Sequence, residues 1–367
     1  GGDEFVLLIS SVSDEKQVID IVERLLPALA RPYCIDGHEL YLTASVGIAI
    51  SGPTTPQPQS LIQQADMAMY KAKDLGRGCF ACYDRGMRQL AQRRAATEME
   101  LRRAVREGEL IAYYQPILRA ADRRIVGFEA LARWHHPRLG IRGPSDFMQV
   151  MLDSGLIVQL DAQMAHQARE FRRNVQDVVA GQFRVYINVS PRPAPLVETI
   201  TRHEQSAEEE GFPLWWLGLE ITEQSIVTDP AAVTETLLRT RTKGLAVVLD
   251  DVGTGYSSLS LLRSLPLDGL KIDRSFVQGM VRDPADEALV ASFAELGRRL
   301  GVTVTAEGVE TEMQLRRVMQ EGVTTVQGYH FAPPVDAETM TGWLRDGAPW
   351  IKERQRPELR APRLSST

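Results

Sequence analysis

The 367-residue chain has few cysteines, few histidines and no long apolar run. Its three cysteines, Cys34, Cys79 and Cys82, are an odd number, which suits a reducing compartment and not a disulfide framework. Cys79 and Cys82 form a C-x-x-C, but "CFACYD" reads as a strand, where positions three apart face opposite ways. With no second pair or nearby histidine, these are ordinary reduced thiols and not a zinc site. No apolar stretch approaches the roughly 18–20 residues of a membrane span. Positive charge is not in surplus either: 42 Lys and Arg stand against 48 Asp and Glu, a net charge of −6. That excludes general nucleic-acid or membrane-surface binding and suits a local acidic site holding metal. The chain opens at "GGDEF" without an initiator Met or a signal peptide. A fragment of a longer cytoplasmic protein is expected, which leaves upstream sensor or membrane-tethering segments open.

What is present is the composition of a soluble globular protein, 44% hydrophobic and 25% charged, with length for two domains. Residues 1–86 form a first unit. "EFVLLIS" reads as a strand, "DEKQVIDIVERLLPALA" as an amphipathic helix and "LYLTASVGIAI" as a strand. A Pro- and Thr-rich loop, "SGPTTPQPQS", then leads into the helix "LIQQADMAMYKAKDLGRG", stopped by Gly76 and Gly78. Residues 87–107 continue a highly charged helical stretch from Arg85 and serve as a linker. Residues 108–350 alternate apolar runs with helical stretches, and 351–367 form a polar, disordered tail. The runs "LIAYYQPIL", "RIVGFEALARW", "VYINVS", "LGLEIT", "LAVVLDD", "GLKID", "VTVTAEG" and "VTTVQGYHF" predict a TIM-like (β/α)8 barrel.

In such a barrel the chemistry sits at the C-terminal strand ends. Strand two ends with Glu129, followed by Arg133; strand three offers Asn188 and strand four Glu220. Strand five gives Asp250 and Asp251, strand six Lys271, strand seven Glu307 and strand eight Gln327. Taken singly, each carboxylate reads as a helix cap or a surface ion-pair partner. The recurrence of a carboxylate, amide or amine at the ends of seven consecutive strands does not. Five carboxylates and two amides are hard oxygen donors suited to Mg²⁺ or Mn²⁺. Two such ions roughly 3.5–4 Å apart would stop the cluster repelling itself and create a site for in-line phosphoryl displacement. Lys271 beside them could have its pKa lowered and help orient or deprotonate the attacking water. Arg133 could clamp a phosphodiester bidentately.

The motifs "YYQPI", "FEALARWHHP", "INVS", "LEITE", "LDDVGTGYSSL", "LKIDRSFV", "AEGVE" and "QGYHF" together resemble the EAL domain, the cyclic di-GMP-specific phosphodiesterase of bacteria, from about Glu98 to Trp350. The resemblance implies Mg²⁺- or Mn²⁺-dependent hydrolysis of cyclic di-GMP to linear pGpG, and a homodimer through the barrel. By it, Glu129, Asn188, Glu220, Asp250, Asp251, Glu307 and Gln327 correspond to the metal-site residues, with Glu129 and Glu307 also catalytic. Lys271 corresponds to the lysine that positions water, and Gln115, Leu131 and Arg133 fall where the family contacts substrate. Glu223 matches the glutamate anchoring the loop after strand five, and Glu310 an acid behind the metal ligands. Two departures stand out. Val252 replaces the usual Phe after the paired aspartates, in a loop that couples metal binding to dimerisation. Met151-Leu152-Asp153 replaces the more frequent Ala-Glu-Glu near the substrate's rim.

The first unit resembles the C-terminal half of a GGDEF domain, the diguanylate cyclase module, through "GGDEF" and "ADMAMYKAKDLGRG". There Gly1 and Gly2 would let GTP approach, Asp3 and Glu4 would sit at the metal and catalytic position, and Lys73 and Arg77 would reach phosphates. Without the earlier half of that domain, this stretch is expected not to make cyclic di-GMP. The alternatives to a phosphodiesterase are a receptor that binds cyclic di-GMP uncleaved, or a parent protein with both activities.

Overall fold

The computed structural model describes residues 4–12, 14–35, 38–51, 58–190, 194–226, 229–253, 265–348 and 350. Gly1, Gly2, Asp3 and the tail after residue 350 lie outside the described residues. The chain divides into two compact units, Gly1–Met99 and Glu100–Thr367.

In the first unit, α1 (Glu15–Leu29) starts where the Asp14 carboxylate accepts the Gln17 N–H at 2.9 Å. Its inner face buries Val18 and Val22 in a small core with Ile48. Strands β1 (Tyr33–Ile35) and β2 (His38–Leu40) form an antiparallel pair. Strand β3 (Val46–Ile48) pairs in parallel with β4 (Phe80–Cys82), the two being connected through α2 (Pro58–Asp74). Gly47 is required there, because a Cβ would lie 1.9 Å from the Ala65 carbonyl oxygen of α2. All three cysteines are free. A long helix, α3 (Arg85–Glu107), follows.

Two sequence expectations fail here. Residues 5–10 are not a strand: the run has no strand beside it among the described residues, and Phe5 is 91% exposed. "LYLTASVGIAI" is not one strand either. Its start turns back on β1 and its centre joins β4, so the chain leaves strand geometry between Leu40 and Val46.

The second unit is a closed barrel. Its strands are β5 (Leu110–Arg119), β6 (Ile125–His136), β8 (Arg184–Asn188), β9 (Leu217–Thr222), β10 (Ala246–Val252), β11 (Gly269–Ile272), β12 (Thr303–Ala306) and β13 (Thr325–Val326). They pair in that cyclic order, and β5 bonds to both β6 and β13, which shuts the ring. A short β7 (Gly140–Arg142) extends β6 outside it. Around the ring lie α4 (Met148–Ser154), α5 (Ile157–Val175), α6 (Leu196–Glu209), α7 (Glu223–Ile226), α8 (Pro230–Thr242), α9 (Arg274–Gly279), α10 (Pro284–Leu300), α11 (Glu312–Gln320) and α12 (Ala337–Asp346). Caps set several helix starts; α11 carries a full capping box, Thr311 with Gln314.

The barrel departs from eight parallel strands in one respect. β5 is antiparallel to both neighbours. Only residues 120–124 separate it from β6, whereas a parallel pairing would need a crossover of a dozen residues or more. The last strand is also shorter than "VTTVQGYHF" suggests. After Val326 the chain turns at Gly328, where a Cβ would lie only 2.1 Å from the Val309 carbonyl oxygen, so glycine is required.

Candidate active site

Side chains two apart on a strand share a face, and the inward faces supply the site. On β6 the sharing residues are Glu129, Leu131 and Arg133; opposite them on the antiparallel β5 stand Gln115, Tyr113 and Ile111. β8 contributes Tyr186 and Asn188, and β9 Gly218 and Glu220. Gly127 and Gly218 leave room for the Tyr186 ring inside the barrel, since a Cβ on Gly218 would come within 2.2 Å of it. β11 contributes Lys271, and Glu307 and Gln327 follow β12 and β13 directly.

Lys271, 1% exposed, stands at the centre. Its Nζ lies 2.5 Å from Glu307 Oε1, 2.8 Å from Glu220 Oε2, 3.1 Å from Glu129 Oε2 and 3.6 Å from Asp250 Oδ1. Two amides orient Glu129: Asn188 Nδ2 donates to its Oε1 at 2.9 Å and Gln327 Nε2 to its Oε2 at 2.6 Å. Gln327 Nε2 also donates to Gln115 Oε1 at 2.9 Å, and Gln115 Nε2 to the Ala332 carbonyl at 2.9 Å. The loops bearing Glu307 and Gln327 are tied together, because Gln327 N–H donates to Ala306 O and Val309 N–H to Gln327 O.

Adjacent aspartates would face opposite sides of a regular strand. Here the pairing register of β10 with β11 shifts between Leu249 and Val252, and Asp251 takes a left-handed backbone with φ 53°. The kink re-aims the second aspartate, and carboxylate oxygens of Asp250, Asp251 and Glu307 lie within 4.8 Å of one another. Val252 is fully buried in the core. Glu223 Oε1 accepts the Gly253 N–H at 3.4 Å, fixing the start of the segment after β10; residues 254–264 lie outside the described residues.

The electrostatics are those of crowded like charges. Burial, then the charges of Glu129 and Asp250, push Glu220 well above the ordinary carboxylate range. Burial, then Asp250 and Glu129, raise Glu307 to about 8, and burial with Asp250 raises Asp251 to about 6. Burial also raises Asp250. Burial works against the Glu129 charge too, but Lys271 and the two amides outweigh it and hold that carboxyl low. Burial likewise opposes the Lys271 charge, yet the surrounding carboxylates lift its pKa well up. Lys271 in this arrangement is therefore a firmly held ammonium, contrary to the lowered pKa expected from sequence.

The residues fit divalent cations. Five carboxylates against one ammonium leave four surplus negative charges when ionised, the charge that two such ions cancel. Two buried acceptors, Glu220 Oε1 and Gln327 Oε1, have no hydrogen-bond partner, a cost that a bound cation would remove. The donors are all oxygen, as Mg²⁺ and Mn²⁺ require.

The structure thus gathers Glu129, Asn188, Glu220, Asp250, Asp251, Lys271, Glu307 and Gln327, with Gln115 beside them. Leu131 and Arg133 stand farther up β6, half-buried. Glu310 is exposed and accepts from Gln278 Nε2 at 3.0 Å; it has no hydrogen bond to the cluster among the described residues. Glu4, Lys73 and Arg77 belong to the other unit, where Glu4 and Arg77 are exposed. Sequence reasoning missed Asp161 on α5, buried, which accepts from Ser190 N and Oγ and steadies the turn after Asn188. It also missed Tyr113, which its two-residue spacing from Gln115 could have revealed.

A closed barrel whose centre gathers acidic and amide oxygens around one lysine is an arrangement able to hold divalent cations. Residues 98–334 match the family model of the EAL domain, and residues 1–79 that of the "Diguanylate cyclase, GGDEF domain". The chain belongs to the EAL domain family, preceded by a GGDEF segment. It is 33% identical over 355 residues to "Cyclic di-GMP phosphodiesterase NbdA" of Pseudomonas aeruginosa, covering 96% of this chain and 45% of that protein. The solved structure "PaMucR Phosphodiesterase, c-di-GMP complex" superposes with a TM-score of 0.62 at 33% identity, covering 67% of this chain and 99% of that one. A Klebsiella pneumoniae BlrP1 complex with manganese and cyclic di-GMP gives a TM-score of 0.53 at 26% identity, covering 62% and 56%. The chain spans about half the length of the curated relatives it matches. Among the described residues no helix is long and apolar enough to cross a membrane.

Proposed function

We propose that the chain is a cyclic di-GMP phosphodiesterase, cleaving its substrate to linear pGpG with two Mg²⁺ or Mn²⁺ ions in the barrel. The observation that carries this is the pair of unpartnered buried acceptors, Glu220 Oε1 and Gln327 Oε1, inside a surplus of negative charge. NbdA and the MucR and BlrP1 complexes support the substrate and a divalent metal by their likeness. Glu129, Asn188, Glu220, Asp250, Asp251, Glu307 and Gln327 would hold the ions, which when bound would polarise the phosphodiester and acidify water.

The chain's own groups do the rest. Water oxygen bonds to phosphorus, the P–O3′ bond breaks, and the 3′ oxygen leaves with a proton, giving a 5′-phosphate. Lys271, held as an ammonium by four carboxylates, orients the water and offsets charge growing on the phosphoryl oxygens. Glu129 and Glu307, both ion-paired to that ammonium, take one proton from the attacking water and hand one to the leaving 3′ oxygen. Arg133 clamps the phosphate next to Gln115 and Leu131. Glu223 anchors the segment after β10.

We further propose a homodimer through the barrel, a cytoplasmic location in keeping with three free thiols, and the domain division 1–86, 87–107, 108–350 and 351–367. GTP binding at Gly1, Gly2, Asp3, Glu4, Lys73 and Arg77 belongs to the same proposal, supported by the GGDEF match. The deciding experiment incubates the purified chain with cyclic di-GMP and Mg²⁺ or Mn²⁺ and resolves the products by chromatography. Metal-dependent pGpG that EDTA abolishes is expected. Tight nucleotide binding with no pGpG would overturn the assignment in favour of a receptor.

A further inference from the structure

The rim above the metal cluster holds an aromatic group with no role so far. Tyr113 lies on β5 as the pairing partner of Leu131, on the face that also carries Gln115. The Arg133 guanidinium carbon sits 5.7 Å from the centroid of its ring. The Tyr113 hydroxyl lies 3.2 Å from His135 Nε2, and the two rings meet edge to face with centroids 5.7 Å apart. Arg133 Nη1 donates to its neighbour's carbonyl, Ala132 O, at 2.8 Å. Among the described residues no carboxylate forms an ion pair with Arg133, so the ring and that carbonyl are what hold the guanidinium. Its other donors are left for a ligand.

We infer that Tyr113 is a positioning residue: its ring face, itself braced by His135, holds the Arg133 guanidinium ready to receive a phosphate of the substrate. This rests on the proposed phosphodiesterase function. A long arginine on a half-open rim would otherwise sample many rotamers, and fixing it beforehand lowers the cost of binding. An aromatic face does so without consuming the donors, whereas a carboxylate would engage the same fork that a phosphate needs. Two residues of strand rise, roughly 7 Å, separate Leu131 from Arg133. Arg133 thus stands four residues along β6 from Glu129 of the cluster.

The test compares Tyr113→Phe and Tyr113→Leu, each with and without Arg133→Ala, in the full chain. Y113F keeps the ring face and loses only the hydroxyl, so KM should stay within about twofold of wild type. Y113L should raise KM about two- to fivefold, the range for an exposed cation–ring contact, with kcat and Tm little changed. In the R133A background, Y113L should add nothing. An unchanged KM in Y113L, or a full effect persisting in R133A, would overturn the inference. A second readout needs no substrate: the Arg133 side-chain Nε–H resonance in NMR should carry a ring-current shift in wild type and Y113F that Y113L abolishes. Should wild type neither bind nor cleave cyclic di-GMP, the functional proposal fails while this shift still decides the Tyr113 pairing.

Discussion

At the scale of single residues, the barrel centre is a problem of charge placed where water is scarce. Lys271 alone faces four carboxylates within 3.6 Å, so its removal has two separable effects. It takes an oriented cation from the reacting water, and it exposes the carboxylates to one another. Lys271→Ala is expected to lower kcat by about 10²–10³-fold, the range for losing one preorganised electrostatic donor, while cyclic di-GMP affinity measured by calorimetry with Ca²⁺ changes severalfold at most. An unchanged kcat would remove the lysine from the mechanism. Asp251 shows how one residue's backbone serves the same cluster. A left-handed conformation is unfavourable for a non-glycine residue, yet it lets two consecutive aspartates address one site. Strain of this kind, seen at φ 53°, is sustained by the well-packed strand beneath, where Leu249 and Val252 are fully buried.

At the scale of elements, α5 and α6 carry buried polar groups that make the barrel's outer layer sensitive to pH. His203 on α6 is buried without a partner for its Nε2. Burial, then Arg169 and Arg202, depress its pKa to about 4, against an unfolded value near 6.5. The unfolded chain therefore binds more protons in that window, and the His203 contribution to stability is full above about pH 6.5 and lost as pH falls toward 4. The depression corresponds to about 3 kcal/mol. Asp161 acts oppositely: burial raises it to about 6, so its contribution improves on acidification below pH 6. Only a difference between variants isolates the histidine. Urea unfolding of wild type and His203→Gln at pH 7 and pH 4.5 should show the wild-type advantage shrinking by a few kcal/mol, and a constant difference would refute it. The elements also show what was legible in the sequence. Barrel strands buried on both faces announce themselves as apolar runs, and most of these runs carry a carboxylate, amide or amine in or just after them, though Glu129 lies in the middle of β6 and not at its end. By contrast, strand direction depends on how the chain closes: nothing in "LIAYYQPIL" itself says that β5 runs antiparallel. The bulge at Asp250 and Asp251 was equally hidden, because it is a property of pairing with β11. The run at residues 5–10 misled for the converse reason, β propensity without a neighbouring strand.

At the scale of the whole molecule, the two units differ in what sustains them. The first unit has a small buried cluster, Val18, Val22 and Ile48, and leaves Phe5, Val6 and Leu8 largely exposed. The second has one continuous core running from Leu101 to Trp350, but at its centre sit ionisable groups whose mutual repulsion works against folding. On the proposed reading, divalent cations bind at that centre. Binding only the folded barrel, they stabilise it by mass action, by about 3 kcal/mol at a hundredfold excess over Kd. For a unit of this size that corresponds to roughly 5–10 °C in Tm. Scanning calorimetry with EDTA and then with saturating Mn²⁺ should resolve two transitions. The lower, belonging to the first unit, should stay in place, and the upper should move up by that amount. Asp250→Asn, which removes one ligand charge and the repulsion it causes, should hold or raise the metal-free transition and abolish most of the Mn²⁺ shift. A shift of equal size in D250N would mean that the ion stabilises the chain somewhere other than the barrel centre, and the metal assignment would fall with it.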